Sequence, residues 1–358
     1  KLIATHSSSY ALVSKYWGSE SFVRMELFME ENRQLEREFL GEYDLDVKLF
    51  EAMGFKVKQI IPVRSVYRIV TDKGFFCLKR LKFPMEDMDF IFAAIDHLKG
   101  KGFSNVFSIV KQENGDNFIN FKGDKYFLTE WIDGRECDFL NPMDLDAAIE
   151  VLASLHNAAE GFAPAVCPPD RCWYGRWPEN FSSRIEEMKL IKEQVLAKPE
   201  KSEIDGIYLD YVDMCIEDGE EALRILNKTG YMDISGEAAR KRSFIHHYFA
   251  HHNILHTFDG KIYVVDFDYC IMDIRIHDVG SLIIRNMKKS NWDMDKALHI
   301  LESYDRRNPL SDEELKVLAP FFLFPQDFWM ISRQYYIERK AWDEEDFADK
   351  MNTKSEYT

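Results

Sequence analysis

The sequence lacks any apolar run long enough to cross a membrane. A spanning helix needs about 20 consecutive, mostly apolar residues. The longest candidate, residues 318–331, is broken by Pro320, Pro325, Gln326 and Asp327. No secretory signal is convincing either. We therefore expect no membrane association.

Positive charge is also scarce. The chain carries 46 Lys and Arg against 62 Asp and Glu, which gives a net charge of −16. Nucleic acid is a polyanion and would be repelled by such a surface, so we expect no nucleic-acid partner. An acidic surface is common in soluble proteins and does not identify a partner on its own.

Cysteines are few and scattered. Only Cys167 and Cys172 lie close together, with four residues between them, and no second pair completes a zinc pattern. We expect reduced thiols, as in a protein synthesised in the cytoplasm.

The length of 358 residues predicts two domains or one large bilobal unit. Residues 1–24 are Ser-rich and weakly patterned, and Met25 is a candidate native start. We therefore predict an N-terminal extension over residues 1–40 that is partly disordered or does not belong to the native chain.

Residues 41–132 are predicted to form a small antiparallel β lobe with one helix. Runs of β-branched and aromatic residues alternate with Gly-containing turns, and a helix is predicted from Pro84 to Gly100. The predicted strands are 57–61, 66–70, 75–81, 106–110, 118–121 and 126–131.

Residues 133–358 are predicted to form a larger, mainly helical lobe. Their apolar residues recur with helical spacing, with a polar connection at 229–242. The predicted helices are 144–159, 181–197, 205–228 and most of 291–350. The fold class predicted for the whole chain is therefore α+β with two lobes.

A metal–nucleotide site is indicated within residues 243–278. Asn253 is followed by an apolar run at 262–265, and Asp266 comes directly after that run. Mg²⁺ takes oxygen ligands from one or two side chains and from phosphate groups. Asn253 and Asp266 are therefore the predicted metal ligands.

The same stretch is rich in histidine, which offers a second interpretation. His246, His247, His251, His252 and His256 could bind a transition metal. No cysteine or acidic residue at matching spacing completes such a site. We therefore expect no structural zinc.

The order of these elements and motifs resembles the aminoglycoside phosphotransferase and choline kinase group, which shares the protein-kinase-like fold. Within that group the chain is most similar to the CotS-type spore-coat proteins of endospore-forming bacteria. The segments that carry the resemblance are 78–80, 129–135, 152–158, 175–178, 243–278 and 323–325.

The resemblance implies a nucleotide-binding role for four residues. Lys79 matches the lysine that holds nucleotide phosphates. Glu130, Trp131 and Ile132 match the hinge whose backbone pairs with adenine. Mg-ATP is the implied cofactor.

Two departures from the group lie in the same lobe. The turn at 62–67 has no glycine, although a Gly-rich loop lets backbone N–H groups approach phosphate. The acidic partner of Lys79 is also out of position, because Glu86 and Asp89 are the nearest acids in the following helix.

The third departure is in the catalytic loop. The group has His, any residue, Asp, four residues and then Asn, and the Asp accepts the proton of the acceptor hydroxyl. His246 and Asn253 match this spacing, but Tyr248 occupies the Asp position. Asp266 matches the metal-binding Asp, and Asp278 matches an Asp that braces the loop.

Two functions are open at this point. The first is a pseudokinase with a structural role in the spore coat, synthesised in the cytoplasm and partnered by other coat proteins. It is favoured by Tyr248 and the two departures near Lys79. The alternative is an active ATP-dependent phosphotransferase acting on a small hydroxyl compound, since Lys79, Asn253 and Asp266 are all present.

Overall fold

The computed structural model of the chain describes residue 49, residues 53–112 and residues 114–355. The predicted extension at 1–40 lies outside the described residues. Contacts divide the chain into two compact units. Among the described residues, the first comprises those up to Lys82 together with those of Ser108–Trp131, and the second comprises Phe83–Phe107 together with those from Ile132 onward.

The first unit contains a five-stranded sheet of β1 Val57–Val63, β2 Val66–Thr71, β3 Phe75–Arg80, β4 Ile119–Phe121 and β5 Asp124–Glu130. The sheet is antiparallel, and its strand order is β1-β2-β3-β5-β4. Alternation along β2 buries Tyr67 and Ile69 on one face, where they join Leu78 and Leu128 in the core. The glycine-free turn is a two-residue hairpin of Arg64 and Ser65.

The predicted strand at 106–110 is wrong. Its residues form only isolated bridges, Ile109 with Thr129 and Val106 with Val264. The physical reason is that only a short part of the β5 edge is available for pairing with this segment. Residues Asp124 to Tyr126 of that edge already pair with β4, so only its last residues are left for the segment at 108–110.

The second unit is mainly helical. Its helices are α1 Met85–Gly100, α2 Pro142–Ala158, α3 Trp177–Ala197, α4 Glu203–Leu226, α5 Tyr231–Lys241, α6 Ile276–Met287, α7 Met294–Asp305, α8 Asp312–Lys316, α9 Leu318–Leu323, α10 Gln326–Tyr336 and α11 Glu344–Ser355. Helix α5 occupies the segment that the sequence predicted as a polar connection. Within the described ranges, no helix is long and apolar enough to cross a membrane.

A small second sheet positions the candidate site. Strands β6 Gly134–Glu136, β7 Ile254–Thr257 and β8 Ile262–Val264 form an antiparallel sheet in that order. A Cβ on Gly134 would lie 2.9 Å from the His256 carbonyl oxygen, so the close approach of β6 to β7 requires glycine there. The β7–β8 hairpin brings the residue before β7 and the residues after β8 to the same end.

The prediction of a mixed α+β fold, with a small antiparallel sheet and a larger helical part, is confirmed. The predicted lobe boundary at 132/133 stays a prediction. Contacts group helix α1 with the second unit, where its Asp87 pairs with Arg171 at 2.6 Å.

Candidate functional site

The open end of the β7–β8 hairpin holds Asn253 and Asp266. The Val265 N–H donates to the Asn253 carbonyl at 2.9 Å, and the Val265 carbonyl lies 3.0 Å from His246 Nε2. Since a carbonyl only accepts, His246 Nε2 carries the hydrogen. Val265 is thus held through both backbone groups, which fixes where the next residue, Asp266, begins.

Asp266 has an unusual backbone conformation. Its φ of 64° and ψ of 64° lie in the left-handed region, which costs a non-glycine residue about 1–2 kcal/mol. The surroundings hold it there, since Phe267 is buried at 1% exposure and its ring packs 4.8 Å from that of His246. Backbone strain of this kind is concentrated at functional sites.

Asn253 is buried at 4% exposure and is oriented by the loop itself. Its Nδ2 donates to the Tyr248 carbonyl at 2.9 Å, which assigns the nitrogen to that side and turns Oδ1 the other way. An amide oxygen and a carboxylate are ligands of the type that Mg²⁺ prefers, with phosphate oxygens completing the shell. The donor set of Asn253 and Asp266 therefore fits a nucleotide-bound magnesium ion.

Asp278 braces the start of the loop at 246–253. Its fully buried carboxylate accepts the backbone N–H groups of His246 and His247, each at 2.8 Å, and lies 3.2 Å from His156 Nε2. Burial alone would raise the pKa of Asp278. The hydrogen bond that the His156 ring donates, together with the neighbouring His246 and His277, outweighs burial and lowers that pKa.

Two buried residues extend this brace, and the sequence predicted a role for neither. His156 Nε2 faces a carboxylate and is therefore the protonated nitrogen, so His156 Nδ1 accepts a hydrogen bond from the Tyr304 hydroxyl at 2.6 Å. His156 lies in one of the segments that carry the family resemblance. Its contact with Asp278 spans 122 residues of sequence, which no local pattern reveals.

His246 and His247 are both held by contacts of their rings with backbone carbonyls, and the predicted catalytic role of His246 stays a prediction. Burial lowers the pKa of His246, and burial together with the neighbouring His277 lowers the pKa of His247 to about 3. Both rings are therefore neutral at pH 7. The His247 backbone is also left-handed, with a φ of 66°, and its ring packs 5.2 Å from Trp173.

The Tyr248 ring packs against three neighbouring side chains. The Arg285 guanidinium lies over its ring at 4.9 Å, and the rings of Tyr269 and His252 lie 5.6 Å from it. The Tyr248 carbonyl accepts the hydrogen bond that orients Asn253. The packed Tyr248 ring thus belongs to the residue that stands between His246 and Asn253 in the predicted motif.

The histidine-rich stretch gives no metal cluster in the part of the chain that the structure describes. There, no group of three or more His, Cys, Asp or Glu side chains is arranged to hold a metal ion. Instead, His246 Nε2 lies within hydrogen-bonding distance of the Val265 carbonyl, and His247 Nδ1 lies within hydrogen-bonding distance of the Tyr269 carbonyl.

The other predicted residues are divided between the units. Lys79 lies on β3 opposite Phe127, and Glu130 ends β5, where its carboxylate accepts the Ser108 N–H at 2.8 Å. The Trp131 N–H donates to the Phe75 carbonyl at 3.2 Å. These three residues belong to the first unit, whereas Ile132 belongs to the second. Their roles in nucleotide binding stay predictions.

Comparison with known families identifies the chain's relatives. The family model described as "Spore coat putative kinase YutH" matches residues 46–358. Spore coat protein S of Bacillus subtilis (strain 168) is 24% identical over 286 residues, covering 79% of this chain and 81% of that protein.

Solved structures with the same fold are phosphotransferases and kinases. The aminoglycoside phosphotransferase of Alicyclobacillus acidocaldarius has a TM-score of 0.68 at 19% identity, covering 84% of this chain and 89% of its own. Amicoumacin kinase hAmiN, solved with AMP-PNP, Ca²⁺ and Ami, has a TM-score of 0.56 at 15% identity, covering 90% and 95%. Spectinomycin phosphotransferase APH(9)-Ia, solved with ADP and spectinomycin, has a TM-score of 0.55 at 12% identity, covering 85% and 93%. These likenesses show that the chain has the kinase-like fold.

Proposed function

The chain belongs to the YutH family of spore-coat, kinase-like proteins, and from that premise we propose that it is a pseudokinase of the spore coat. In this proposal it binds a magnesium nucleotide but does not transfer phosphate, and it serves a structural role among other coat proteins. The observation that carries the proposal is Tyr248, packed into an ordered catalytic loop where a carboxylate would act.

Tyr248 removes two contributions to phosphoryl transfer. A catalytic Asp orients the acceptor hydroxyl and accepts its proton. A tyrosine offers a hydroxyl in place of a carboxylate, and its ring occupies volume that an acceptor would need. The ring is held in place by Arg285 at 4.9 Å and Tyr269 at 5.6 Å.

Asn253 and Asp266 support the nucleotide part of the proposal. The Asn253 amide is oriented by its bond to Tyr248, and Asp266 follows a residue clamped through both of its backbone groups. These two side chains would hold the magnesium ion, which would neutralise phosphate charge when bound.

Thermal stability with and without Mg-ATP tests the nucleotide part. A ligand that binds only the folded state stabilises it by about 2.7 kcal/mol at a concentration 100 times its Kd. We expect Mg-ATP to raise the Tm of the wild-type protein but not of Asp266→Asn, since asparagine tolerates the left-handed backbone but lacks the charge. An unchanged wild-type Tm would refute nucleotide binding. An equal rise in both proteins would mean that Asp266 does not hold the metal.

An active phosphotransferase is the second candidate. The ordered loop, with Asn253 oriented and His246 and His247 braced by Asp278, favours it. Positioning and electrostatics supply most of the catalysis in phosphoryl transfer, so a missing base need not abolish it. Its substrate would be a small hydroxyl compound, the acceptor class of the group that the chain resembles.

Replacing Tyr248 distinguishes the two candidates. If the site lacks only its base, Tyr248→Asp will gain turnover of ATP with small alcohols and amino sugars as acceptors. Tyr248→Phe is the matched control, because it keeps the ring beneath Arg285 and removes only the hydroxyl. Turnover in the wild type that Tyr248→Asp leaves unchanged would favour the active enzyme.

A further inference from the structure

A cavity of about 260 Å³ opens in the second unit, beside the brace of the loop at 246–253. It is lined by the end of α2, by α5, by the chain that enters the loop, by the residues before α6 and by the segment at 309–314. Tyr248, Asn253 and Asp266 are not among its lining residues. The cavity is therefore a different pocket from the candidate magnesium site.

The cavity contacts three of the elements that hold the loop. Its lining includes His156, whose Nε2 lies 3.2 Å from the Asp278 carboxylate. It also includes residues 243–244, which lead into His246, and Arg275, which directly precedes the first turn of α6 where Asp278 lies. A ligand that fills the cavity would therefore restrain the brace and the entry of the loop together.

Helix α5 forms one wall of the cavity and is weakly anchored. It buries only Tyr231 and Ser235. Elements that bury few side chains open locally at a low free energy. The side chains that α5 presents to the cavity include Glu237 and Lys241, and Glu160 lies beyond the end of α2. A ligand between these residues would add contacts that link α5 to the chain after α2.

The charged side chains of the lining are three carboxylates and two cations. Arg275 and Glu314 neutralise each other through two hydrogen bonds, of 2.7 and 2.9 Å. Lys241 is shared, since its Nζ lies 3.4 Å from the Glu160 carboxylate and 3.2 Å from that of Glu237. One ammonium between two carboxylates leaves one negative charge that the lining does not compensate.

The size and the remaining surface of the cavity define the rest of a fitting ligand. Apolar side chains, among them Ile234, Phe244 and Ile274, line the cavity beside these charges. Since a cavity of about 150 Å³ holds benzene, this one has room for about ten non-hydrogen atoms. The lining thus suits a molecule with one positive charge and an apolar body of that size.

We propose that this cavity binds a small organic monocation, whose ammonium group donates to Glu160 and Glu237, and that the bound cation stabilises the loop at 246–253. Hydrogen bonds between an ammonium and a carboxylate are charge-assisted and stronger than neutral ones. The ligand ammonium competes with Lys241 for the same two carboxylates. The proposal is independent of whether the candidate site binds a nucleotide.

Calorimetric titration of the full chain with 2-phenylethylammonium tests the site. The controls are 2-phenylethanol, which has the same size without the charge, and phenylacetate, which has the opposite charge. We expect the ammonium ion to bind at least about fivefold more tightly than the alcohol, and phenylacetate to bind more weakly than either. Absence of binding by the ammonium ion, or equal affinities for the ammonium ion and the alcohol, would overturn the proposal.

Two substitutions with opposite expected effects locate the bound cation. Glu237→Gln should weaken binding of 2-phenylethylammonium about three- to fivefold, because one carboxylate is lost. Lys241→Gln should strengthen it by a similar factor, because the competing cation is removed. Asp233→Asn is the matched control, an exposed acid of α5 outside the lining, and should leave the Kd unchanged. Binding that neither Glu237→Gln nor Lys241→Gln alters, or that Asp266→Asn abolishes, would place the cation elsewhere and refute the site.

Hydrogen exchange tests the connection to the loop separately. At saturating 2-phenylethylammonium we expect exchange of the His246 and His247 amides, which donate to Asp278, to slow at least threefold. Exchange in α11, which does not line the cavity, should stay unchanged. Unchanged exchange at both loop amides, or an equal slowing in α11, would refute the connection.

Discussion

Asp278→Asn tests the brace of the catalytic loop while preserving the shape of the side chain. The carboxylate accepts the backbone N–H groups of His246 and His247 and the His156 ring N–H. Asparagine has one acceptor oxygen, so its NH₂ group must face at least one of these donors. Oδ2 receives two of the three bonds, and we therefore expect the amide oxygen to stay there and the His247 N–H to lose its partner.

The expected decrease in the free energy of unfolding follows from the hydrogen bonds of Asp278 that are lost or weakened. Leaving a buried donor unsatisfied costs about 1–3 kcal/mol, and hydrogen bonds to a charged group are worth about 1.5–3 kcal/mol, roughly twice neutral ones. The neutral amide is less costly to bury than the carboxylate, which offsets part of this loss in the free energy of unfolding. The lowered pKa of Asp278 indicates that its partners outweigh that desolvation. We therefore expect a net loss of about 3 kcal/mol in the free energy of unfolding.

Urea unfolding at pH 7 and local hydrogen exchange measure this effect. Exchange of the His246 and His247 amides should become roughly 100-fold faster, the ratio that matches about 3 kcal/mol. The control is Asp146→Asn, an exposed acid paired with His299, where we expect less than about 0.5 kcal/mol. Unchanged exchange at both amides, with a stability loss below about 1 kcal/mol, would refute the brace.

Two further predictions concern the same unit. Burial lowers the pKa of both His246 and His247 in the folded state. Below about pH 6.5 the unfolded state therefore takes up protons that the folded state does not, and the free energy of unfolding falls as the pH falls below that value. His247 alone should contribute a loss of about 1.3 kcal/mol between pH 7 and 5.5, measured by urea unfolding, and a flat profile would contradict its neutral state. Gly280→Ala should lower the free energy of unfolding by about 1–3 kcal/mol, because its Cβ would lie 2.7 Å from the Phe321 ring. Gly206→Ala, whose Cβ would have nothing within 4 Å, should be neutral or stabilising, and thermal melting of both variants checks the difference.

Much of the fold was predictable because its elements have local signatures. Runs of β-branched and aromatic residues bounded by turns predicted all five strands β1 to β5, and the same signal wrongly predicted a further strand at 106–110. That segment has the composition of a strand, but its pairing depends on how much of the β5 edge is already used by β4. Edge availability is a tertiary property that composition does not encode.

Helix α5 shows the opposite failure. It is short and polar overall, and only Tyr231 and Ser235 are buried, so its few apolar residues give a weaker signal than the long apolar runs of the neighbouring helices. It ends at Arg242 in a left-handed conformation, where glycine would be the usual signal. Neither its presence nor its end could be predicted from pattern alone.

The candidate site was predictable in its linear motif but not in its buried support. The spacing of His246, Tyr248 and Asn253 is visible in the sequence, and the structure brings these residues together with Asp266 and Asp278. The links through His156 and Tyr304 join residues more than a hundred positions apart. A buried histidine on a helix has the same local sequence whether it bonds a distant carboxylate or only packs.

Phosphate release and transfer from Mg-ATP by the wild-type protein, beside Asp266→Asn, is the most direct test of the central claim that this is a kinase-fold protein without kinase chemistry. We predict the same background rate for both proteins with every small hydroxyl acceptor tried. A wild-type rate well above that background, abolished in Asp266→Asn, would contradict it and would make Tyr248 part of a working active site.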